Sequence, residues 1–292
     1  MSGLRTARAF RRFVPEDFLA LLGARDFARL EAGVGVTRDV TVLFSDMRNF
    51  TAMSERLGPA GTFRFVSGCL RRFIPAIVRH GGFIDKFIGD AVMAIFPSDP
   101  YDAVLAAKAM QDEVNLFNDS EAGRAWPLAI GVGVHRGPVM IGTIGDGTRM
   151  DVTAIGDVVN VASRLESLTK KLGVAALASD AIVRERMSTA RRSLRCVGAM
   201  KVKGRDDAVD LFELLDNIAS PDERVQKDAT RERFVRGLLA FQLADIPRAH
   251  GHFDAVCRHA PLDGVARAYR ATTEKYLAEG LPAGFNGELG SL

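Results

Sequence analysis

Apolar residues recur along this chain with two periods. Compact runs rich in β-branched and aromatic residues read as strands at 40–44, 128–135, 137–145, 174–178, 195–203 and 209–215, the last two as a hairpin around Gly204. The run 83–96 is interrupted by Gly89-Asp90 and reads as a hairpin with its turn there. Stripes at i, i+3, i+4 predict helices over 5–35, 59–80, 101–117, 157–172, 179–187 and 231–280. In the first helix, Pro15 followed by Glu16 and Asp17 suits an opening turn, and Phe18, Leu21 and Leu22 share a face. In the second, Phe63, Val66, Leu70, Phe73, Ile74 and Ile77 form one apolar side, Pro75 predicts a kink or a nearby end, and Gly81-Gly82 closes it. Residues 45–51 read as a turn and 217–230 as a polar linker.

The order β-α-ββ-α-β predicts an α+β fold, a ferredoxin-like palm: an antiparallel-rich sheet with flanking helices on one face and the tips of its central strands open. The expected division is an N-terminal helical connector (1–37), a main domain (38–216), a linker (217–230) and a small C-terminal helical segment with its tail (231–292). In that segment Gly237, Ala249, Phe253 and Pro261 fall at the eighth, twentieth, twenty-fourth and thirty-second places of a 34-residue window, which resembles a single tetratricopeptide repeat. Ala240 and Val256 stand where that repeat has tyrosine and alanine. One repeat cannot bury its apolar face alone, so it is expected to pack on the main domain or on a second copy.

Composition narrows the class. The chain is 47% hydrophobic and 26% charged, as in ordinary globular proteins, and its net charge of +3 is too small to argue for nucleic acid. Arg5, Arg8, Arg11 and Arg12 read as a solvated helix start; no apolar h-region follows them, and no run approaches a membrane span. Cys69, Cys196 and Cys257 are far apart and form no CxxC, which fits free thiols in a reducing cytoplasm.

The chemistry sits at strand ends. Asp46 ends the run 40–44 and Asp90 tips the hairpin; two carboxylates so placed suit a pair of divalent metals. Taken singly, an aspartate after a strand is usually a turn residue or helix cap. Together with their neighbours they say more. Residues 44–51 (FSDMRNFT), 85–90 (DKFIGD), 153–166 (TAIGDVVNVASRLE) and 202–204 (VKG) resemble, in order, four motifs of the class III adenylate and guanylate cyclases. The resemblance covers residues 38–216. Asn49 stands where glycine is common, and His135-Arg136-Gly137-Pro138 replaces the usual His-Thr/Ser-Gly.

The resemblance implies conversion of ATP to 3′,5′-cyclic AMP and pyrophosphate by in-line attack of the ribose 3′-OH. It implies two Mg²⁺ or Mn²⁺ ions per site, on Asp46, Asp90 and Met47. Backbone N–H groups of Met47, Arg48, Asn49, Phe50 and Thr51 would cradle phosphate. Asn160 would orient the ribose, Arg164 would neutralise charge on the α-phosphate, and Lys203 would meet the terminal phosphates. Lys86 and Thr153 would read the base, lysine at adenine N1 and threonine at the exocyclic amine, favouring ATP over GTP. Threonine there resembles a bacterial subgroup. In the family each site lies between two chains, so one chain with both halves implies a homodimer. The short N-terminal helix resembles the connector that follows sensor domains in relatives, and the C-terminal helices read as a protein-interaction or packing module. The competing readings are a catalytically weak nucleotide-binding or dimerisation module, a guanylate cyclase, and a diguanylate cyclase. The last needs a GG[DE]EF turn where this chain has Ile88-Gly89-Asp90-Ala91.

Overall fold

A computed structural model gives the fold and describes residues 15–23, 31–146, 148–184, 192–201 and 208–290. Strand β1 (Gly35–Met47) is central to an eight-stranded sheet. On one side it pairs antiparallel with β3 (Ala91–Phe96), which pairs with β2 (Phe83–Ile88). On the other it pairs along its whole length with β4 (Ile130–Gly145). Next come β6 (Ala176–Ser179), parallel to β4, then β8 (Ala208–Leu214) and the edge strand β7 (Leu194–Lys201). Strand β5 (Met150–Ile155) pairs with the far half of β4.

From Val40 onward β1 is buried on both faces, as its continuous apolar run requires. Leu43 and Met47 join a core with α2 (Phe50–Arg79) and α3 (Asp102–Asn118), which is followed by a short α4 (Glu121–Ala125). Val40, Val42 and Phe44 join the opposite core with β5, α1 (Glu16–Leu22) and α5 (Asp157–Leu172). The helices therefore cover both faces of the palm, not one. Phe18 of α1 seals this second core edge-on against Phe83, 4.9 Å between ring centroids.

Several sequence expectations change. Residues 128–135 and 137–145 belong to one strand without a turn, because His135, Arg136, Gly137 and Pro138 all keep register with β1. Pro138 is tolerated because β6 pairs with β4 only at 132–134 and β5 only at 140–145, so no ladder on that edge needs its missing N–H. Residues 150–155 form a strand where none was expected. The turn expected at 45–51 is confined to residues 48–49. The break in the long helix lies at Gly58 and not at Pro75, and Phe63, expected on the apolar side, is 75% exposed. Of the helix expected over 5–35, α1 covers Glu16–Leu22 and is closed by Gly23, residues 5–14 and 24–30 lie outside the described residues, and β1 already begins at Gly35. A short α6 (Asp180–Val183) follows β6. The loop around Gly204 lies outside the described residues.

The stretch expected as a linker opens α7 (Pro221–Gln242), capped by Ser220 Oγ, which accepts from Glu223 N. Its first core-facing positions are Lys227 and Thr230, so the buried stripe looked polar. α7 packs with α8 (Ile246–His259) and α9 (Gly264–Glu279) on β7, β8 and the end of α5. Buried ion pairs join the two parts. Glu213 of β8 takes Lys227 Nζ at 2.5 Å and Arg195 Nη1 at 3.2 Å, and Arg195 Nη2 reaches Asp263 at 2.6 Å. Burial disfavours the Lys227 ammonium, but Glu213 and Glu223 outweigh it and hold its pKa above the ordinary value. Tyr269 donates to Val197 O, and Leu289 N donates to Ala199 O.

Candidate active site

β1 and the β2–β3 turn bring Asp46 and Asp90 together. Their carboxyl groups are close enough to share a hydrogen bond, and partial burial with the Asp46 charge pushes the Asp90 pKa up to about 7. Asp90 Oδ2 is buried with no hydrogen-bond partner among the described residues. Two adjacent carboxylates, one oxygen of them unsatisfied, form an oxygen donor set that a hard divalent cation fits. Among the described residues no cluster of three or more acidic, histidine or cysteine side chains completes it, so further donors would be backbone or substrate oxygens. The Met47 side chain is buried in the core, which leaves only its backbone for that role.

The segment after Asp46 is less open than expected. Met47 N donates to Asp46 Oδ1 at 2.9 Å, and Arg48 N donates to Ala129 O at 2.8 Å. The cradle expected over Met47 to Thr51 therefore contracts to the start of α2. Phe50 and Thr51 begin that helix, where the first N–H groups have no carbonyl a turn earlier. Asn49 precedes them at φ +57°, the left-handed conformation that asparagine and glycine tolerate. The replacement of glycine at this position is thus conservative in backbone terms. The Arg48 guanidinium turns inward to Glu166 (3.2 Å) and the Thr169 hydroxyl. Burial lowers the Arg48 pKa and raises that of Glu166.

α5 carries Asn160 and Arg164. Its Val158, Ala162, Leu165, Glu166 and Thr169 face inward, and it lies so close to β4 that a Cβ on Gly133 would sit 2.2 Å from Glu166 N. At 100° per residue Asn160 points almost opposite to that inner face, and Arg164 is on the same outer strip. Asn160 is exposed, and Arg164 Nη1 is buried without a partner among the described residues. Asn160 thus lies on the side of α5 turned away from its own sheet, with the half-buried Arg164 at the flank of the same strip.

Lys86 and Thr153 come together from β2 and β5 through Asp85, a residue passed over as a motif letter beside Lys86. Thr153 Oγ1 donates to Asp85 Oδ2 at 3.1 Å, Ala154 N donates to Asp85 Oδ1 at 3.2 Å, and Lys86 Nζ lies 3.5 Å from Asp85 and 3.7 Å from Asp151. Thr153, Ala154 and Asp151 come from β5, which pairs with β4 and not with β2, so the sequence alone carried no signal for these contacts. Lys203 lies outside the described residues.

Residues 34–215 match the family model described as the adenylate and guanylate cyclase catalytic domain. The chain is similar to an adenylate cyclase of Anabaena cylindrica, 41% identical over 217 residues, 72% of this chain and 43% of that protein. It is also similar to the terminal-differentiation-specific adenylate cyclase of Dictyostelium discoideum, 35% identical over 259 residues, 86% of this chain and 12% of that protein. It therefore spans less than half the length of either. Among solved structures it resembles a bacterial light-regulated adenylyl cyclase, with TM-score 0.63 and 26% identity over 74% of this chain and 62% of that one.

Proposed function

This chain belongs to the family of adenylate and guanylate cyclase catalytic domains, and we propose that it is an adenylate cyclase, forming 3′,5′-cyclic AMP and pyrophosphate from ATP in a homodimer. The observation that carries this is the Asp46–Asp90 pair beside the N-terminus of α2, with Asp90 Oδ2 unsatisfied. The ribose 3′-oxygen bonds to the α-phosphorus, the bond to pyrophosphate breaks, and the hydroxyl proton passes to solvent. Asp46, Asp90 and the Met47 backbone would hold two divalent ions, Mg²⁺ or Mn²⁺, which would supply Lewis acidity to the reacting oxygens. The N–H groups opening α2 receive phosphate oxygens, favoured by the helix dipole. Asn160 orients the ribose, Arg164 donates to the α-phosphate as charge grows there, and Lys203 meets the terminal phosphates. Lys86 and Thr153 select adenine.

The outward placement of Asn160 and Arg164 favours a site completed by a second copy. So do the exposed apolar side chains Phe63, Phe87 and Ile88 near the hairpin and Met140, Met150 and Ile155 on the β4–β5 arm. We take 38–216 as the catalytic unit and the helices from Pro221 onward as a tetratricopeptide-like segment, through which a protein partner or an upstream sensor domain would act. No helix among the described residues is long and apolar enough to cross a membrane; we assign the reaction to the cytoplasm.

The deciding assay is cyclic nucleotide formation from ATP or GTP with Mg²⁺ or Mn²⁺. Cyclic AMP should dominate, and GTP outrunning ATP would overturn the assignment of Lys86 and Thr153. A second result follows from Asp90. Its raised pKa means that the metal-free fold gains stability from the shared proton at low pH and loses it as pH rises through about 7. Cation binding must displace that proton, so Mn²⁺ should raise the melting temperature more at about pH 8 than at about pH 5.5. An equal shift at both pH values would count against the carboxylate pair as the cation site.

A further inference from the structure

We propose that Asp85 is a positioning residue that sets the preference for ATP by fixing the direction of the Thr153 hydroxyl hydrogen. The proposal rests on the reading that Lys86 and Thr153 meet the base.

The Asp85 side chain has no exposed surface and spends both oxygens on β5. One accepts the Ala154 N–H and the other the Thr153 hydroxyl. An ionised carboxylate can only accept, so in the contact with Thr153 the hydrogen belongs to the threonine. Burial raises the Asp85 pKa, while Lys86, the Ala154 N–H and the Thr153 O–H each pull it back. The one other acceptor near Thr153 Oγ1 is the carbonyl of Ala154, at 3.4 Å, and among the described residues no donor reaches that oxygen. With its hydrogen committed to Asp85, Thr153 has only lone pairs left to offer a ligand. Lys86 offers only hydrogens.

An acceptor beside a donor is a code. Adenine presents an amine donor at N6 and an acceptor at N1, which match Thr153 and Lys86 respectively. Guanine presents an acceptor at O6 and an N–H at N1, which oppose both. The threonine hydroxyl alone would not discriminate, since a free hydroxyl turns to suit either base. The carboxylate behind it makes it an obligate acceptor.

Asp85→Asn is the test. The amide oxygen keeps the Ala154 N–H, which turns the amide NH₂ toward Thr153 Oγ1. The hydroxyl hydrogen is then released toward the base and can meet guanine O6. The ratio of kcat/KM for ATP to that for GTP should fall roughly 10- to 100-fold. A merely structural loss would lower both nucleotides together and leave the ratio in place. Thr153→Val should also lower the ratio, and adding Asp85→Asn to it should lower it no further. If Thr153→Val lowers the ratio while Asp85→Asn leaves it unchanged, the role of Asp85 is overturned and the cyclase reading stands. If Thr153→Val leaves the ratio unchanged, the assignment of Thr153 to the base falls, and the role of Asp85 with it. Thermal melting checks each variant's fold. Should Asp85→Asn not fold, Thr153→Ser carries the test: under the same carboxylate it should keep the ATP preference. A loss as complete as that of Thr153→Val would overturn the proposal.

Discussion

Asp46→Ala should lower cyclic AMP formation by about 10³-fold or more and Arg164→Ala by about 10²–10³-fold, and an equal mixture of the two impaired proteins should recover about a quarter of the wild-type rate. The first change removes one of the two neighbouring carboxylates from the cation site. The second removes a guanidinium whose Nη1 is buried and unpartnered. Loss of one preorganised donor of this kind typically costs about 10²–10³-fold, and loss of a metal ligand at least as much. Recovery depends on geometry. Asn160 and Arg164 lie on the strip of α5 turned away from their own sheet, so each pair of aspartates would be completed by the partner's α5. Random mixing makes half the dimers mixed, and each mixed dimer keeps one intact site of two. Absence of recovery after subunit exchange, with exchange verified by size or tag capture, would mean that the site closes within one protomer.

Arg195→Met should be the most destabilising single change in the ion network, at about 3–5 kcal/mol, a fall in Tm of roughly 10 °C. The guanidinium is fully buried, bridges Glu213 and Asp263, and lies 3.8 Å over the Phe234 ring. Removing it leaves the buried Asp263 carboxylate, among the described residues, with the Ala266 N–H as its remaining hydrogen-bond donor and leaves Glu213 to Lys227. The cost is the uncompensated charge, since the same side chains replaced together by apolar ones would not incur it. The exposed Arg236–Glu232 pair is equally short at 2.5 Å, and Arg236→Met should change stability little. A urea melt of both variants checks this. A small effect for Arg195→Met would show that the C-terminal helices hold on through apolar contacts alone.

The parts legible in advance were those whose signal is local. The β2–β3 hairpin announces itself through Gly89-Asp90 between apolar runs, and helix α5 through its stripe, which matched Asp157–Leu172 at both ends. The misread parts were those whose signal is a neighbour. β4 looked like two strands because Arg136-Gly137-Pro138 has turn composition; pairing with β1 overrides it. The start of α7 looked like a linker because Lys227 faces inward, and its burial is acceptable only where Glu213 of β8 waits. The Arg48 backbone N–H looked available to phosphate until the Ala129 carbonyl, far along the chain, took it.

Motif residues and their order sufficed to place the chain in its family, because the chemistry demands particular side chains and a local pattern carries them. Which of those side chains meet was a matter for the tertiary structure. It joined Asp46 to Asp90, tied Thr153 to Asp85, and turned Asn160 and Arg164 outward. Hydrogen-bond direction and burial depend on atoms brought together across strands, and no single segment contains that information.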